Sequence, residues 1–196
     1  MEGGWMSDKR NVSDKQSNPL DGAVISAGSN LVIAPVGDCM RLSLRIAKKD
    51  LSKAVTAFGH DIPENIGEMS STDKERALCL GPDEWLLLAP ESEAEEISAN
   101  FAKMGEKTLH SLVDIGHRSV GIDLSGSAAA SVLNAGCPLD LDAMAVDGCT
   151  RSILEKAEII LMKLGEEHYR VEIARSFAEY AWTFLSRAGR EFDISK

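Results

Sequence analysis

Apolar and polar positions alternate over residues 41–47. Leu42, Leu44 and Ile46 fall on one face and Ser43 and Arg45 on the other, the pattern of a half-buried strand. Asp50 then stands where a helix cap is wanted. Leu51, Ala54, Val55 and Phe58 share one side of the helix that follows, and Gly59 occupies its left-handed terminal position. Residues 77–80 and 85–89 read as two strands joined by the turn chemistry of Gly81-Pro82-Asp83, a hairpin. Ser92 and Glu95 have capping-box spacing and open a helix with Ala94, Ile97, Phe101 and Met104 inward.

The second half of the chain follows the same plan. Val120, Ile122 and Leu124 alternate in a strand. Ser125-Gly126-Ser127 turns the chain into a helix with Ala128, Val132 and Leu133 on one face, closed by Gly136. Residues 157–164 and 169–173 form a second hairpin. Ser176 and Glu179 make a second capping box ahead of a helix carrying Phe177, Tyr180, Ala181, Phe184 and Leu185 at helical spacing. Trp85 lies over Tyr169, Leu87 over Val171, Ser92 over Ser176 and Glu95 over Glu179, so one supersecondary unit is used twice. The expected fold class is α+β: two repeated β-α-β-β-α units, residues 31–108 and 109–196, sharing a sheet with helices packed on one side. Residues 1–30, rich in Ser, Asn, Asp, Gly and Lys, show neither period and read as a flexible tail in which Trp5 is the odd residue.

Composition narrows the function. The net charge of −10 disfavours nucleic acid and anionic membranes, which need clustered Lys and Arg. The longest apolar runs are strand-length, whereas a membrane span needs ~20 residues. Cys39, Cys79, Cys137 and Cys149 show no Cys-x-x-Cys spacing, so a zinc knuckle or dithiol centre is not expected. With no apolar signal segment after Met1, the expected compartment is the reducing cytoplasm with free thiols.

The residues offer few candidates for chemistry. There is no Gly-x-Ser-x-Gly, no Gly-x-Gly-x-x-Gly and no Walker sequence. His60, His110, His117 and His168 lack the spacing of a helical metal site. Asp114, His117 and Arg118 lie together at a strand junction, able to bind a carboxylate or to fix the corner through internal hydrogen bonds. Ser125 and Gly126 could present backbone N–H groups to an anion or serve as a plain helix cap. No catalytic and no metal-ligating set is expected. Trp85, Arg175 and Phe177 are the candidate interface residues.

Several segments resemble the sarcosine oxidase gamma subunit family. They are Leu80-Gly81-Pro82-Asp83-Glu84-Trp85-Leu86-Leu87, the run from Asp114 to Arg118 (where the family often reads Asp-x-Ser-His-Arg and Gly116 replaces the Ser), Ala135-Gly136-Cys137-Pro138-Leu139-Asp140-Leu141, Cys149-Thr150-Arg151, Lys156-Ala157-Glu158 and Arg175-Ser176-Phe177-Ala178. The resemblance implies a fold similar to the folate-binding region of the glycine-cleavage aminomethyltransferase. Those relatives typically carry a Gly-Gly-x-x-Asp-Asp run where this chain reads Leu154-Glu155-Lys156-Ala157-Glu158, so the paired carboxylate of one-carbon transfer is missing. It also implies an assembly subunit of a heterotetramer with alpha, beta and delta subunits. That complex oxidatively demethylates sarcosine to glycine, releasing formaldehyde or passing the one-carbon unit to tetrahydrofolate, with FAD, FMN and NAD on the partner subunits and none on this chain. The alternative implied by the same fold is a stand-alone folate-binding module of one-carbon metabolism, with Asp114, His117 and Arg118 as its polar group.

Overall fold

In the computed structural model, which describes residues 18–192, the strands are β1 (Ile25–Ser26), β2 (Val32–Pro35), β3 (Met40–Ile46), β4 (Met69–Ser71), β5 (Arg76–Gly81), β6 (Glu84–Ala89), β7 (His110–Asp114), β8 (Ser119–Ser125), β9 (Cys149–Leu154), β10 (Ala157–Gly165) and β11 (His168–Ala174). The α-helices are α1 (Leu51–Phe58), α2 (Ala94–Gly105), α3 (Ala129–Asn134) and α4 (Ala178–Gly189). Alternation does the work expected of it. In β3, Met40, Leu42, Leu44 and Ile46 are buried and pack with Leu51, Ala54 and Phe58 of α1 and Ile97 and Phe101 of α2. In β8, Val120, Ile122 and Leu124 pack with Val132 and Leu133 of α3 and Ala181 and Leu185 of α4.

The strands form two antiparallel sheets, in the orders β4-β5-β6-β3-β7 and β1-β2-β8-β11-β10-β9. The single shared sheet expected from the sequence is therefore replaced by two, with helices on both outer faces. The cause lies in the central strands, which are apolar on both faces. Trp85, Leu87 and Ala89 of β6 face the helices, while Leu86 and Leu88 join Leu78, Met69, Cys149 and Met162 in a third cluster between the sheets. An apolar run buried on both sides demands cover on both sides.

Strand exchange also moves the expected boundary at residues 108 and 109. β2 precedes the first half yet pairs with β8, with Ile33 opposite Leu124, and β7 follows it yet pairs with β3, with Leu112 opposite Leu44. Part of the expected tail is built into the molecule: Leu20 is buried and Ile25 pairs with Ile33 in a two-residue strand too short to show a period. Trp5 and residues 1–17 lie outside the described residues. The two capping boxes do not form. A 3₁₀ turn leads into each helix (Glu91–Glu93 and Arg175–Phe177), which shifts the cap positions to Glu93 and Phe177 without a side-chain cap bond. Asp50 precedes α1, but its carboxylate accepts from Lys53 Nζ at 2.7 Å instead of from the backbone. Gly59 does take the left-handed position, φ 87°.

Gly126 is the turn on which β8 leaves its sheet. Its φ is 108°, and a Cβ there would lie 2.5 Å from the carbonyl oxygen of Asn30. Gly126→Ala should thus meet both backbone strain and a rigid neighbour, costing about 2 kcal/mol and lowering the melting temperature by roughly 4–8 °C in thermal unfolding followed by circular dichroism.

Candidate functional site

The inner face of an antiparallel sheet is the place for its polar residues, and here two such faces meet. Position parity puts Arg41, Ser43 and Arg45 of β3 on that side, with Asp123 of β8 and Arg170 and Glu172 of β11 opposite. Arg41 crosses the gap. Its Nε donates to Glu172 Oε2 at 2.6 Å, its Nη2 to Oε1 at 3.3 Å, and its Nη1 to the Cys39 carbonyl at 3.0 Å. Both side chains are buried, at 6 % and 3 % exposure. Burial alone would push the guanidinium's pKa down, but the charge and hydrogen bond of Glu172 outweigh it and the net shift is upward. Gly121, paired with Glu172 on the neighbouring strand, leaves room for this carboxylate: a Cβ there would lie 2.8 Å from Oε1.

Neighbouring charges are arranged the same way. Arg170 forms a fork with Asp123, at 2.6 and 2.8 Å. Arg151 reaches from β9 to Glu84 of β6 at 2.6 Å, a second ion pair between the sheets. Arg76 is the exception: its buried Nε finds no acceptor among the described residues, and burial, then the charge of Arg170, lowers its pKa. Burial raises the pKa of the Cys39 and Cys79 thiols. Burial, with Cys79 adding to it, pushes Cys149 up to about 12.

Where the inner faces separate, they enclose a cleft of about 900 Å³. Arg41 and Glu172 line it, together with Leu86 and Ile160 from the two sheets, and His117 and Arg118. The structure thus brings two members of the predicted trio to one cavity. Asp114 is not in this cleft but lines a smaller cavity of about 120 Å³ together with His117; its Oδ1 accepts from the Gly116 N–H at 2.8 Å and fixes the turn that carries His117 and Arg118. The internal hydrogen bond that fixes the corner is made by Asp114.

Ser125 and Gly126 are not in this cleft. They close the far end of β8, about 20 Å from Ser119 at an ordinary strand rise. The Asn30 carbonyl that crowds Gly126 also accepts the Ala128 N–H, so the turn is filled by the chain's own backbone and is no anion cradle.

Among the interface candidates, Trp85 is corrected: it is 1 % exposed, and its indole N–H donates to the Pro63 carbonyl at 2.8 Å inside the helix-facing core. Large aromatic size in a hairpin strand signalled core, not surface. Arg175 lines the cleft, and Phe177 beside it is 44 % exposed, edge-on to Tyr180. The Arg41–Glu172 pair, 131 residues apart, was missed, because alternation marks Arg41 as off the core face without saying what covers it. No group of three metal-ligating side chains occurs among the described residues.

Comparison with known proteins places these features in context. The sarcosine oxidase, gamma subunit family model matches residues 46–191. The chain is 34 % identical over 139 residues to sarcosine oxidase subunit gamma of Corynebacterium sp. (strain P-1), covering 69 % of this chain and 68 % of that one. It is 29 % identical over 182 residues to the subunit gamma of Corynebacterium sp. (strain U-96), covering 90 % and 88 %. Among solved structures, a chain of the heterotetrameric sarcosine oxidase from Corynebacterium sp. U-96, in complex with pyrrole 2-carboxylate, superposes with a TM-score of 0.75 at 26 % identity over 86 % of this chain and 89 % of that chain. Glycine cleavage system aminomethyltransferase T from Bartonella henselae shares the fold, with a TM-score of 0.62 at 14 % identity over 78 % of this chain and 44 % of that one.

The buried pair gives a measurable asymmetry. Glu172→Gln strands the Arg41 charge between the sheets and should cost about 3–5 kcal/mol in urea unfolding, whereas the double replacement Arg41→Met/Glu172→Leu should cost much less than the sum of the single changes.

Proposed function

Because the chain belongs to the sarcosine oxidase gamma subunit family, we propose that it serves as the gamma subunit of a heterotetrameric sarcosine oxidase, assembled with alpha, beta and delta subunits into the complex that demethylates sarcosine to glycine. The observation that carries this reading is the match over residues 46–191 together with superposition on a chain of the Corynebacterium complex. The role of the chain is shape and contact surface. FAD, FMN and NAD belong to the partner subunits in this reading. Support comes from the cleft itself, where Arg41 and Arg151 are committed to Glu172 and Glu84 and leave no preorganised cradle for a dinucleotide's phosphates. The described helices include none long and apolar enough to cross a membrane, and the four cysteines are free. Free thiols suit a cytoplasmic site of action.

We also infer that the two sheets are one unit used twice. The support is their shared order: β4-β5-β6-β3 in one corresponds to β9-β10-β11-β8 in the other, with α1 and α3, then α2 and α4, at equivalent connections. The region where the aminomethyltransferase relatives place paired acids falls here on a tight turn at Glu155 (φ 55°) between β9 and β10.

Folate binding by the chain alone is the second reading, favoured by the cleft between the halves. The residues present fit it poorly: Arg41 and Arg151 are already paired, and the anionic glutamyl tail would meet Glu158 and Glu179 as well as His117 and Arg118. Calorimetry of the isolated chain with tetrahydrofolate should therefore show no binding heat; a saturable signal would restore the reading.

Co-expression with alpha, beta and delta should yield a complex that retains this chain through sizing and forms peroxide from sarcosine. The chain alone should be colourless and inactive. A stable monomer ignored by alpha at micromolar concentration would overturn the assignment.

A further inference from the structure

We propose that Arg76, with Arg170 beside it, is a binding site for a small oxyanion, a carboxylate or a sulfate taken from solution at the margin of the two sheets. The strand register places it. Arg76 of β5 and Arg41 of β3 flank Leu88 of β6 in one row, and Met162 of β10, Arg170 of β11 and Asp123 of β8 make another. Leu88 and Met162 belong to the apolar cluster between the sheets, so the two rows face each other. The layer around them, with Glu172, holds three guanidinium groups, on Arg41, Arg76 and Arg170, against the two carboxylates of Glu172 and Asp123. Both carboxylates are taken: Arg41 holds Glu172 through two nitrogens, and Arg170 holds Asp123 through two. Arg76 makes no hydrogen bond or ion pair among the described residues, and its Nε is buried.

A buried donor left without an acceptor is uncommon in a native fold and points to a group supplied from outside. Charge says which group. Burial, then the charge of Arg170, lowers the pKa of Arg76. A water molecule would satisfy the N–H and leave the repulsion from Arg170 in place, whereas an anion answers both. The guanidinium fork suits an ion with two oxygens on one atom. Arg76 is half-buried, so such an ion can reach it from solvent. His168, whose Nε2 lies 3.8 Å from Asp123 Oδ2, adds positive charge at this margin when protonated. Asp147 is a further acid whose charge reaches Arg76, but its Oδ1 accepts from the Ser71 hydroxyl at 3.1 Å. The site is separate from the cleft, and it does not depend on the gamma-subunit reading.

The test is thermal melting of the full chain titrated with sodium sulfate, against sodium chloride at equal ionic strength. The unsubstituted melting temperature should rise along a saturating curve, by roughly 3–6 °C at ten times the dissociation constant. Arg76→Met should lose the saturating part. In chloride it should melt no lower than the unsubstituted chain, since it removes a cation that has no partner. Arg76→Lys keeps the charge without the fork and should weaken the affinity at least about tenfold. Arg118→Gln, an exposed arginine at the cleft, should leave the curve unchanged. The general stabilisation of folded chains by sulfate is common to every variant, and the difference between variants removes it. Absence of a saturating rise in the unsubstituted chain overturns the proposal, as does the same rise in Arg76→Met or an equal loss in Arg118→Gln. A marked loss of stability of Arg76→Met in chloride also overturns it, because the guanidinium would then already have its partner within the chain.

Discussion

The apolar contact between two sheets, with the Arg41–Glu172 ion pair buried beside it, holds together what would otherwise be two separate half-proteins. Each antiparallel sheet already has its own helices and its own apolar core, and either could leave its second face to water. Instead the two second faces are pressed together over Leu78, Leu86, Leu88 and Met162, and that apolar contact drags charged neighbours out of solvent. Desolvation of such groups is tolerable only when they find each other with good geometry. The bidentate fork of Arg41 on Glu172, that of Arg170 on Asp123 and the missing side chain of Gly121 are the local means by which this is met.

That constraint bears directly on function. Groups whose charges are saturated by one another make a poor cradle for a cofactor and a poor acid–base relay. The buried thiol of Cys149, held protonated by its surroundings, points the same way. The cleft between the sheets is lined by the paired Arg41 and Glu172 and by the exposed His117, Arg118, Glu158 and Glu179.

Much of the fold could be read along the chain. The hairpins β5–β6 and β10–β11 and the helices α1, α2 and α4 lie close to where periodicity puts them, because each buries one face and that face repeats at its own interval. The capping boxes failed because Ser92 and Ser176 sit in 3₁₀ turns, one residue short of the helix caps at Glu93 and Phe177, a difference that spacing cannot resolve. β1 and β4 were too short to carry a period, and they exist because a neighbouring strand offers them an edge. At the candidate site, His117 and Arg118 were legible as polar residues grouped at a turn. Trp85 was misjudged because its side of the strand faces helices, not a partner.

The sequence by itself determined the local elements, the family and the absence of any familiar catalytic spacing, since all three depend on residues close together in the chain. Only the tertiary structure decided that there are two sheets and not one, that the strands on either side of the first half change places, and that Arg41 meets a carboxylate 131 positions away. The reason is physical. Alternation says which side of a strand is apolar, but the identity of what covers the other side is settled by long-range packing, where burial and charge pairing are satisfied together or not at all.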